Sequence, residues 1–408
     1  MPAQNTLNCT PLSSPETELR YAHLRSRGPT LVALNLHQNA EVFPSLASQL
    51  LDLAIFLGPT NVHVSIFENG SPDSTPMGMA HFSAVLTRAG VPHTITSDPR
   101  ETEWSEVDRI EQLSVYRNIA LEPLFTNLTD QSTVRFETVL FINDVFACPS
   151  DTLELLHQRV VQNAHATCGL DYRWRRSVLS GTGPKFYDNW VSRSLTGMTL
   201  RSRLDVFAES RDGLLELFSE YEDLEYRDRF RAGRVLPMYS CWNGMIALDA
   251  RPFLGITVDG GVARDKVIFR GARRRRHECA ASECKLIAKD FWTRNFDRWV
   301  LVPHVRVTYE RDLYHQEDLV NLAHRAQLRW RTPPSSHDPL APSHNSSAPL
   351  QWAYPHTAPT VDGLGEEVDF IDWSGVTGPE SVVCWPYHRV GNVEWWWTRV
   401  VEKVTSVQ

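Results

Sequence analysis

The sequence predicts an α/β fold in which a mostly parallel central sheet is flanked by helices. Short apolar runs alternate along the chain with segments whose apolar residues recur at helical spacing. One run, TVLFI at Thr138–Ile142, is apolar at nearly every position, which is typical of a strand buried on both faces of a parallel sheet. Strands and helices that alternate in this way favour right-handed crossovers within one layered domain.

Each element follows from its local pattern. Residues 30–36 (TLVALNL) are apolar and partly β-branched, and residues 43–57 repeat leucines at helical spacing, so a strand followed by a helix is predicted. The same criteria, with Gly and Pro marking the ends, give the remaining elements: strands at 61–67, 91–95, 138–142, 235–245 and 299–309, and helices at 80–89, 108–121, 152–162 and 211–226.

Composition and charge exclude several classes of protein. The chain has 408 residues, of which 42% are hydrophobic and 22% charged, close to a typical globular protein and unlike a disordered, collagen-like or multi-spanning one. The net charge of −8 gives no general attraction to nucleic acid or to an anionic membrane. No signal peptide or membrane-spanning run is visible in this sequence. The seven cysteines are dispersed and leave the redox compartment open.

Ligands of open parallel sheets bind at the carboxyl ends of strands, so the residues that follow each apolar run are candidate site residues. Glu68 follows the second predicted strand, where a carboxylate suits a nucleobase or a ribose; alternatively, this turn only caps the next helix. Asn143 and Asp144 follow TVLFI. An acid there suggests Mg²⁺ or Mn²⁺ bridging a diphosphate, and the alternative is an Asp that accepts the backbone amides of a turn.

Basic groups near such a metal would neutralise a diphosphate. Arg109 and Arg117 are eight residues apart on the predicted helix 108–121 and lie along one stripe, with Asn118 beside the second. A solvated helix face is the alternative interpretation for these arginines.

Aromatic rings beside carboxylates suit sugars, which stack their C–H faces on rings and bond to acids and amides through hydroxyls. Core aromatics with nearby helix caps would give the same pattern. The segments with this composition are LDY with Asp171, FYDNW with Tyr187 and Asp188, CWNG with Trp242 and Asn243, and SECKLIAKD with Glu283.

An ordered series of motifs over about residues 30–310 resembles the fungal capsule-associated α-1,3-mannosyltransferases, glycosyltransferase family 69. The series is RIEQLSVYRNIALEPL, VLFINDVFACPSDTLELL, FYDNWVSRSLTG, YSCWNGMIALDARPF and SECKLIAKDFW. The resemblance implies a GT-A-like nucleotide-sugar transferase fold, retention of anomeric configuration, GDP-mannose as donor and a mannose-containing glycan as acceptor. It also implies Mn²⁺ or Mg²⁺ as cofactor, no nucleic-acid partner, and the Golgi lumen or secretory pathway, with a membrane anchor that this sequence does not show.

Carried onto this sequence, the resemblance and the residue patterns together define the expected site. Retention requires either a carboxylate nucleophile or same-face entry of the acceptor hydroxyl, and the sequence leaves both routes open. The expected metal ligands are Asp144 and His304; the nucleotide-sugar contacts are Glu68, Arg109, Arg117, Asn118 and Asn143; the catalytic carboxylates are Asp171, Asp188 and Glu283; and the sugar or acceptor contacts are Tyr187, Trp242 and Asn243.

The predicted domain organisation is one large catalytic domain, residues 28–331, with extensions. Residues 1–27 are expected to be an irregular leader, 332–350 a Pro/Ser-rich linker or loop, and 351–408 a Trp-rich C-terminal tail that packs on the catalytic domain. Two alternative functions stay open: a transferase for another nucleotide sugar such as UDP-xylose, and a non-catalytic protein of the same fold that binds glycans or assists polysaccharide export.

Overall fold

The computed structural model describes residues 7–126, 136–177, 181–200, 217, 226, 229–230, 233–263, 265–273, 278, 281–315, 370–384 and 400–403. The strands in these ranges are β1 Thr30–Leu36, β2 Val62–Asn69, β3 His93–Asp98, β4 Thr138–Ile142, β5 Ala166–Ser177, β6 Gly181–Phe186, β7 Arg193–Ser194, β8 Leu236–Ser240, β9 Met245–Asp249, β10 Trp299–Thr308, β11 Ser381–Cys384 and β12 Val400–Lys403. The α-helices are α1 Pro15–Tyr21, α2 Phe43–Leu57, α3 Thr75–Ala89, α4 Arg109–Ala120, α5 Glu122–Thr126, α6 Pro149–Val161, α7 Arg251–Leu254, α8 Glu283–Trp292 and α9 Arg311–Tyr314.

One mixed sheet of ten strands organises the described residues, and β11 and β12 form a separate antiparallel pair. The order of the ten-stranded sheet is β3-β2-β1-β4-β9-β5-β10-β8-β7, and β6 pairs with β5 outside this path. Strands β3, β2, β1 and β4 are parallel, and β5 is parallel to β10. Strand β9 is antiparallel to both of its neighbours, β4 and β5, so β4 and β5 point the same way. The predicted α/β fold with a mostly parallel central sheet flanked by helices is confirmed.

Helices cover both faces of the parallel strands. In β1, Leu31 and Ala33 belong to the hydrophobic cluster that includes Tyr116 of α4, whereas Val32 and Leu34 belong to the cluster under α2, α3 and α6. Successive strand residues point to opposite faces, so a strand covered on both sides has to be apolar throughout. This requirement explains why β1 and β4 were recognisable in the sequence.

The predicted bounds of β1, α2 and β4 match the structure, and others differ for local reasons. Helix α3 begins at Thr75 instead of 80, because Pro76 in its first turn is compatible with a helix start. The predicted strand 235–245 is two strands joined by a turn, in which Asn243 and Gly244 both have positive φ, 55° and 77°. The predicted helix 211–226 lies outside the described residues except at 217 and 226.

The prediction of an irregular leader at 1–27 is wrong for Pro15–Tyr21, which is helical. The hydroxyl of Ser14 accepts a hydrogen bond from Thr17 N at 3.1 Å and caps the first turn. A buried carboxylate then holds the helix against the domain: Glu154 accepts from Arg20 Nε at 2.8 Å and from the Tyr21 hydroxyl at 2.6 Å. The N-terminal segment is thereby part of the folded unit.

Two disulfides connect distant parts of the chain. Cys9 is bonded to Cys148 at the start of α6, across 139 residues, and Cys168 of β5 is bonded to Cys241, across 73 residues. Among the described residues, Cys284 is a free, buried thiol. The sequence left the pairing open, and the structure links the N-terminal segment to the loop that follows β4.

Part of the C-terminal tail contacts the large domain. Trp373 Nε1 donates to the carbonyl of Gln162 at 2.7 Å, and Val383 N donates to the carbonyl of Gly197 at 2.9 Å. The predicted linker 332–350 lies outside the described residues. No helix in the described part of the chain is long and apolar enough to cross a bilayer.

We expect Cys9→Ser and Cys148→Ser each to lower the free energy of unfolding by about 2–4 kcal/mol, because either change removes the crosslink that restricts the unfolded chain. The double variant should be no less stable than the single ones, since the bond is already lost. Urea unfolding of the three variants under non-reducing conditions tests this. Additive losses in the double variant would contradict the disulfide.

Candidate active site

Polar side chains converge at the edge of the sheet where the parallel strands end. Asp144 follows β4, Asn39 follows β1, Asp171 lies in β5 and Tyr309 follows β10. The Asp144 side chain is exposed, and its Oδ2 accepts a hydrogen bond from Asn39 Nδ2 at 3.3 Å. The carboxyl ends of parallel strands form the usual ligand-binding edge of an α/β sheet.

The backbone around Asp144 forces its side chain outward. Asn143 N donates to the carbonyl of Gly244 at 2.9 Å, Val145 N donates to the carbonyl of Asn143 at 2.9 Å, and Phe146 pairs with Thr308. The apolar residues on both sides of Asp144 are buried, so the carboxylate is the group that this turn presents to solvent. Surrounding protein atoms raise the pKa of Asp144 by desolvation.

Arg117 of α4 lies beneath this turn instead of facing solvent. Its Nε is 2.9 Å from Glu283 Oε1 in a buried ion pair, and its Nη1 donates to Asn143 Oδ1 at 3.4 Å. Trp242 Nε1 also donates to Asn143 Oδ1, at 3.1 Å. The side-chain oxygen of Asn143 therefore accepts two hydrogen bonds, from Arg117 and from Trp242. These hydrogen bonds hold the turn that carries Asp144.

Aromatic rings enclose the guanidinium of Arg117. Its Cζ lies 4.5 Å from the ring centroid of Trp242, 4.8 Å from that of Phe141 and 5.7 Å from that of Phe269. Cation–π contacts of this kind strengthen when water is excluded. Glu283 is 2% exposed, so this geometry favours a supporting role for the buried pair over the predicted contacts of Arg117 with a diphosphate and of Glu283 with a sugar.

Asp171 and Asp188 form a pair of neighbouring carboxyl groups. Asp188 N donates to Asp171 Oδ1 at 3.0 Å, and the Tyr309 hydroxyl donates to Asp171 Oδ2 at 3.4 Å. The carboxylate of Asp188 accepts from Val191 N at 3.3 Å and from Asn243 N at 3.2 Å. Asp171 is fully buried, whereas Asp188 is half-buried, so Asp188 is the more accessible member of the pair.

Burial changes the proton affinity of this pair. Desolvation, followed by the charge of Asp188, holds the pKa of Asp171 well above its usual value. Desolvation raises the pKa of Asp188 to about 6, although the amides of Asn243 and Val191 lower it in part. Carboxyl groups with shifted pKa values at the carboxyl edge of a sheet are typical of functional sites.

The predicted sugar contacts separate into a supporting pair and a surface residue. Trp242 and Asn243 are buried, and Asn243 accepts from the Ser192 hydroxyl at 2.6 Å and donates to the carbonyl of Gly169 at 2.7 Å. These two residues build the turn that holds Asp188 and Asn143. Tyr187 is half-buried and meets the ring of Tyr309 edge-on, with centroids 4.8 Å apart.

Glu68 and Asn118 are engaged elsewhere. Glu68 is 0% exposed, and its carboxylate accepts from Ser71 N and from the Ser97 hydroxyl, so it organises the loop after β2. Asn118 exchanges two hydrogen bonds of 2.9 Å with the backbone of Phe269. In this geometry the Glu68 carboxylate holds the loop after β2 and Asn118 holds the backbone at Phe269, so the structure brings neither side chain to Asp144.

Arg109 and His304 do not join the site either. Arg109 is exposed at the first residue of α4, two turns from the buried Arg117. His304 Nε2 lies 2.9 Å from Glu154 Oε1, in the polar network that holds α1. His304 lies within β10, before the strand end that carries Tyr309, so the structure does not bring it to the edge where Asp144 lies.

Tyr309 and Asn39 are site residues that the sequence interpretation missed. Tyr309 ends the predicted strand 299–309, and Asn39 comes three residues after β1. Both residues follow a strand, as Asp144 does. Neither side chain is charged, however, so the pattern of charged residues did not indicate them.

The metal-ligating side chains of this site suit a divalent ion that is held mainly by phosphate oxygens. Among the described residues, no group of three or more His, Cys, Asp or Glu side chains is arranged to bind a metal. Asp144 offers one exposed carboxylate, with an amide from Asn39 beside it. Mg²⁺ and Mn²⁺ are commonly bound by one or two carboxylates together with substrate phosphates and water, so the residues present suit an ion that arrives with its nucleotide.

Comparisons with known proteins give the class of protein. The family described as Cryptococcal mannosyltransferase 1 matches residues 29–290. The alpha-1,3-mannosyltransferase CMT1 of Cryptococcus neoformans is 31% identical over 367 residues, which cover 86% of this chain and 72% of that protein. The chain is a glycosyltransferase. It belongs to the Cryptococcal mannosyltransferase 1 family, which confirms the resemblance to the fungal capsule-associated enzymes.

Solved structures are similar at low identity. TarS of S. aureus, residues 1–349, is 11% identical with a TM-score of 0.35, covering 74% of this chain and 65% of that chain. The mannosyltransferase PcManGT of Pyrobaculum calidifontis, in complex with GDP-Man and Mn²⁺, is 10% identical with a TM-score of 0.35, covering 75% of each chain.

We expect Arg117→Met to lower the free energy of unfolding by about 3–5 kcal/mol, because it leaves the Glu283 carboxylate buried without its partner. Arg117→Met combined with Glu283→Leu should recover most of this loss. Arg109→Met, on the exposed end of the same helix, is the matched control and should change stability by less than about 0.5 kcal/mol. Urea unfolding of the wild type and these three variants measures the losses, and equal effects of Arg117→Met and Arg109→Met would contradict the buried ion pair.

Proposed function

We propose that the protein transfers mannose from GDP-mannose to a mannose-containing glycan with retention, forming an α-1,3 linkage with the assistance of Mn²⁺ or Mg²⁺. Family membership and the name of the relative in Cryptococcus neoformans support the sugar and the linkage. The observation that carries the proposal is the exposed carboxylate of Asp144 at the carboxyl edge of the sheet.

Asp144 would hold the metal ion together with the diphosphate of the donor, and Asn39 would orient the carboxylate. A divalent ion at this position supplies Lewis-acid stabilisation of the departing diphosphate. Asn143, held by Trp242 and Arg117, keeps the turn of Asp144 fixed. Electrostatic stabilisation of a leaving group requires that the stabilising groups are already in place, so a fixed turn suits this role.

Asp188 is the carboxylate that would face the transferred sugar. Of the three predicted catalytic acids it is the accessible one, since Asp171 is fully buried and Glu283 is bound to Arg117. In its ionised form it either attacks the anomeric carbon or stabilises the positive charge that develops there, and both routes to retention stay open. Asp171 would act as a positioning residue through the amide of Asp188.

Tyr187 supports binding of a glycan acceptor. Its half-buried ring lies next to Asp188 in sequence and packs against Tyr309, which bonds to Asp171. Aromatic rings near carboxylates accommodate the C–H faces and the hydroxyls of a sugar together. The two disulfides support a location in the secretory pathway, because disulfides persist in oxidising compartments.

We expect the wild-type protein to bind GDP with Mn²⁺ and to turn over GDP-mannose, and Asp144→Asn to lower turnover by roughly 100-fold or more, because the charge that holds the metal is lost. Calorimetry with GDP, with and without Mn²⁺, and product release from a panel of sugar nucleotides measure both. Turnover of UDP-xylose in place of GDP-mannose would identify another donor. Absence of nucleotide binding at millimolar concentration would instead favour a non-catalytic glycan-binding protein.

Turnover should fall as the pH drops through about 6, because protonation of Asp188, whose pKa is raised to about 6, removes the charge that acts on the sugar. Asp188→Asn should lower kcat by roughly 100-fold and leave a profile without this acidic limb. Asp259→Asn, at an exposed acid bonded to Thr257, is the control and should keep the wild-type profile. If Asp188→Asn kept the acidic limb of the pH profile, that limb would reflect the titration of another group.

A further inference from the structure

Arg173 is an exposed cation on the face of the sheet that carries the site carboxylates. It lies in β5 two residues after Asp171, and alternate strand residues share a face. Its side chain is 50% exposed. The guanidinium lies 5.5 Å from the ring centroid of Tyr187, and the same ring meets that of Tyr309 edge-on. Arg173 therefore stands at the mouth of the site and not beneath it.

The two arginines that the sequence suggested for a diphosphate leave this position open. Arg117 is buried and paired with Glu283. Arg109 is eight residues earlier on α4, about 12 Å along the helix axis, at its exposed end. By contrast, Arg173 follows Asp171 by two residues in β5, and its guanidinium packs on the ring of Tyr187, the residue before Asp188.

The contact that now occupies Arg173 is weak. Its Nε lies 3.5 Å from Glu310 Oε1, and these side chains are 50% and 39% exposed. Exposed ion pairs contribute little to stability. Glu310 has a backbone partner of its own, since its Oε2 accepts from Trp174 N at 3.1 Å. The guanidinium is therefore able to exchange Glu310 for a phosphate without leaving that carboxylate unpaired.

We propose that Arg173 is the diphosphate-binding arginine of this site, contacting phosphate oxygens of the sugar nucleotide opposite Asp144. The inference rests on the proposed function and adds a residue to it. A planar guanidinium binds two phosphate oxygens at once. As the anomeric carbon forms its bond to the attacking oxygen, of a carboxylate or of the acceptor hydroxyl, its bond to the diphosphate oxygen breaks and the electron pair leaves with that oxygen. If the acceptor hydroxyl attacks directly, its proton passes to an oxygen of the leaving diphosphate. Arg173 stabilises the charge on the diphosphate without transferring a proton.

Binding of GDP in the presence of Mn²⁺, measured by calorimetry on the full chain, tests this inference. Arg173→Gln should weaken binding roughly 10- to 100-fold, the range for a hydrogen bond to a charged group, and Arg173→Lys should give a smaller loss. Arg88→Gln is the matched control: Arg88 is an exposed arginine in the last turn of α3, at the opposite edge of the sheet, and its replacement should leave the affinity unchanged.

Glu310→Gln separates binding from a merely structural role. It removes the ion pair with Arg173 but keeps an acceptor for Trp174 N, so GDP affinity should be retained. If Arg173 served only that ion pair, Arg173→Gln and Glu310→Gln would lower the Tm equally and leave GDP binding unchanged. That result, or a rise in the KM of the acceptor with an unchanged KM of the donor, would overturn the inference.

Failure of this inference is distinguishable from failure of the proposed function. If Asp144→Asn loses metal-dependent GDP binding while Arg173→Gln binds like wild type, only the assignment of Arg173 is overturned. If the wild-type protein binds UDP and not GDP, the donor proposal fails, and the same variants titrated with UDP decide the role of Arg173. A wild type that binds neither nucleoside diphosphate overturns both.

Discussion

The buried ion pair between Arg117 and Glu283 is the constraint on which the site depends. It joins α4 to α8 beneath the turn after β4, and the same guanidinium contacts Asn143 and packs against Trp242. A charge in such a setting is stable only while its partners stay in place. The position of the exposed acid at the sheet edge is therefore set by groups that never meet the substrate.

Much of the fold was predictable because burial imposes simple patterns on a sequence. Strands β1 and β4 are covered on both faces and have to be apolar, so their bounds were recovered. Strand β5 was missed: its first part is buried, but it continues as Asp171, an exposed Arg173 and an exposed Trp174, which gives neither alternation nor an apolar run. Asn243 lies in the turn between β8 and β9 and has a positive φ. This backbone conformation does not change the hydrophobic pattern, so the turn was not recognisable from periodicity.

The site was predictable in location more than in the role of each residue. The strand-end rule selected Asp144, and the structure presents it at that edge. The rule also selected Glu68, whose carboxylate turns back to the amide of its own loop. Sequence indicates which residue types lie near a strand end, but the direction of each side chain depends on partners far along the chain, as with Arg117 and Glu283, 166 residues apart.

The unusual proton affinity of Asp171 and Asp188 has a consequence for the whole molecule. Desolvation raises the pKa of Asp188 from 3.8 to about 6 and holds that of Asp171 well above its usual value, so between about pH 4 and 6 the native state holds more protons than the unfolded chain. The contribution of this pair to folding free energy is then largest in acid and diminishes as the pH rises through 6. At neutral pH the desolvation of this pair therefore costs folding free energy, and a positive charge brought beside the pair would stabilise the fold as well as prepare the chemistry.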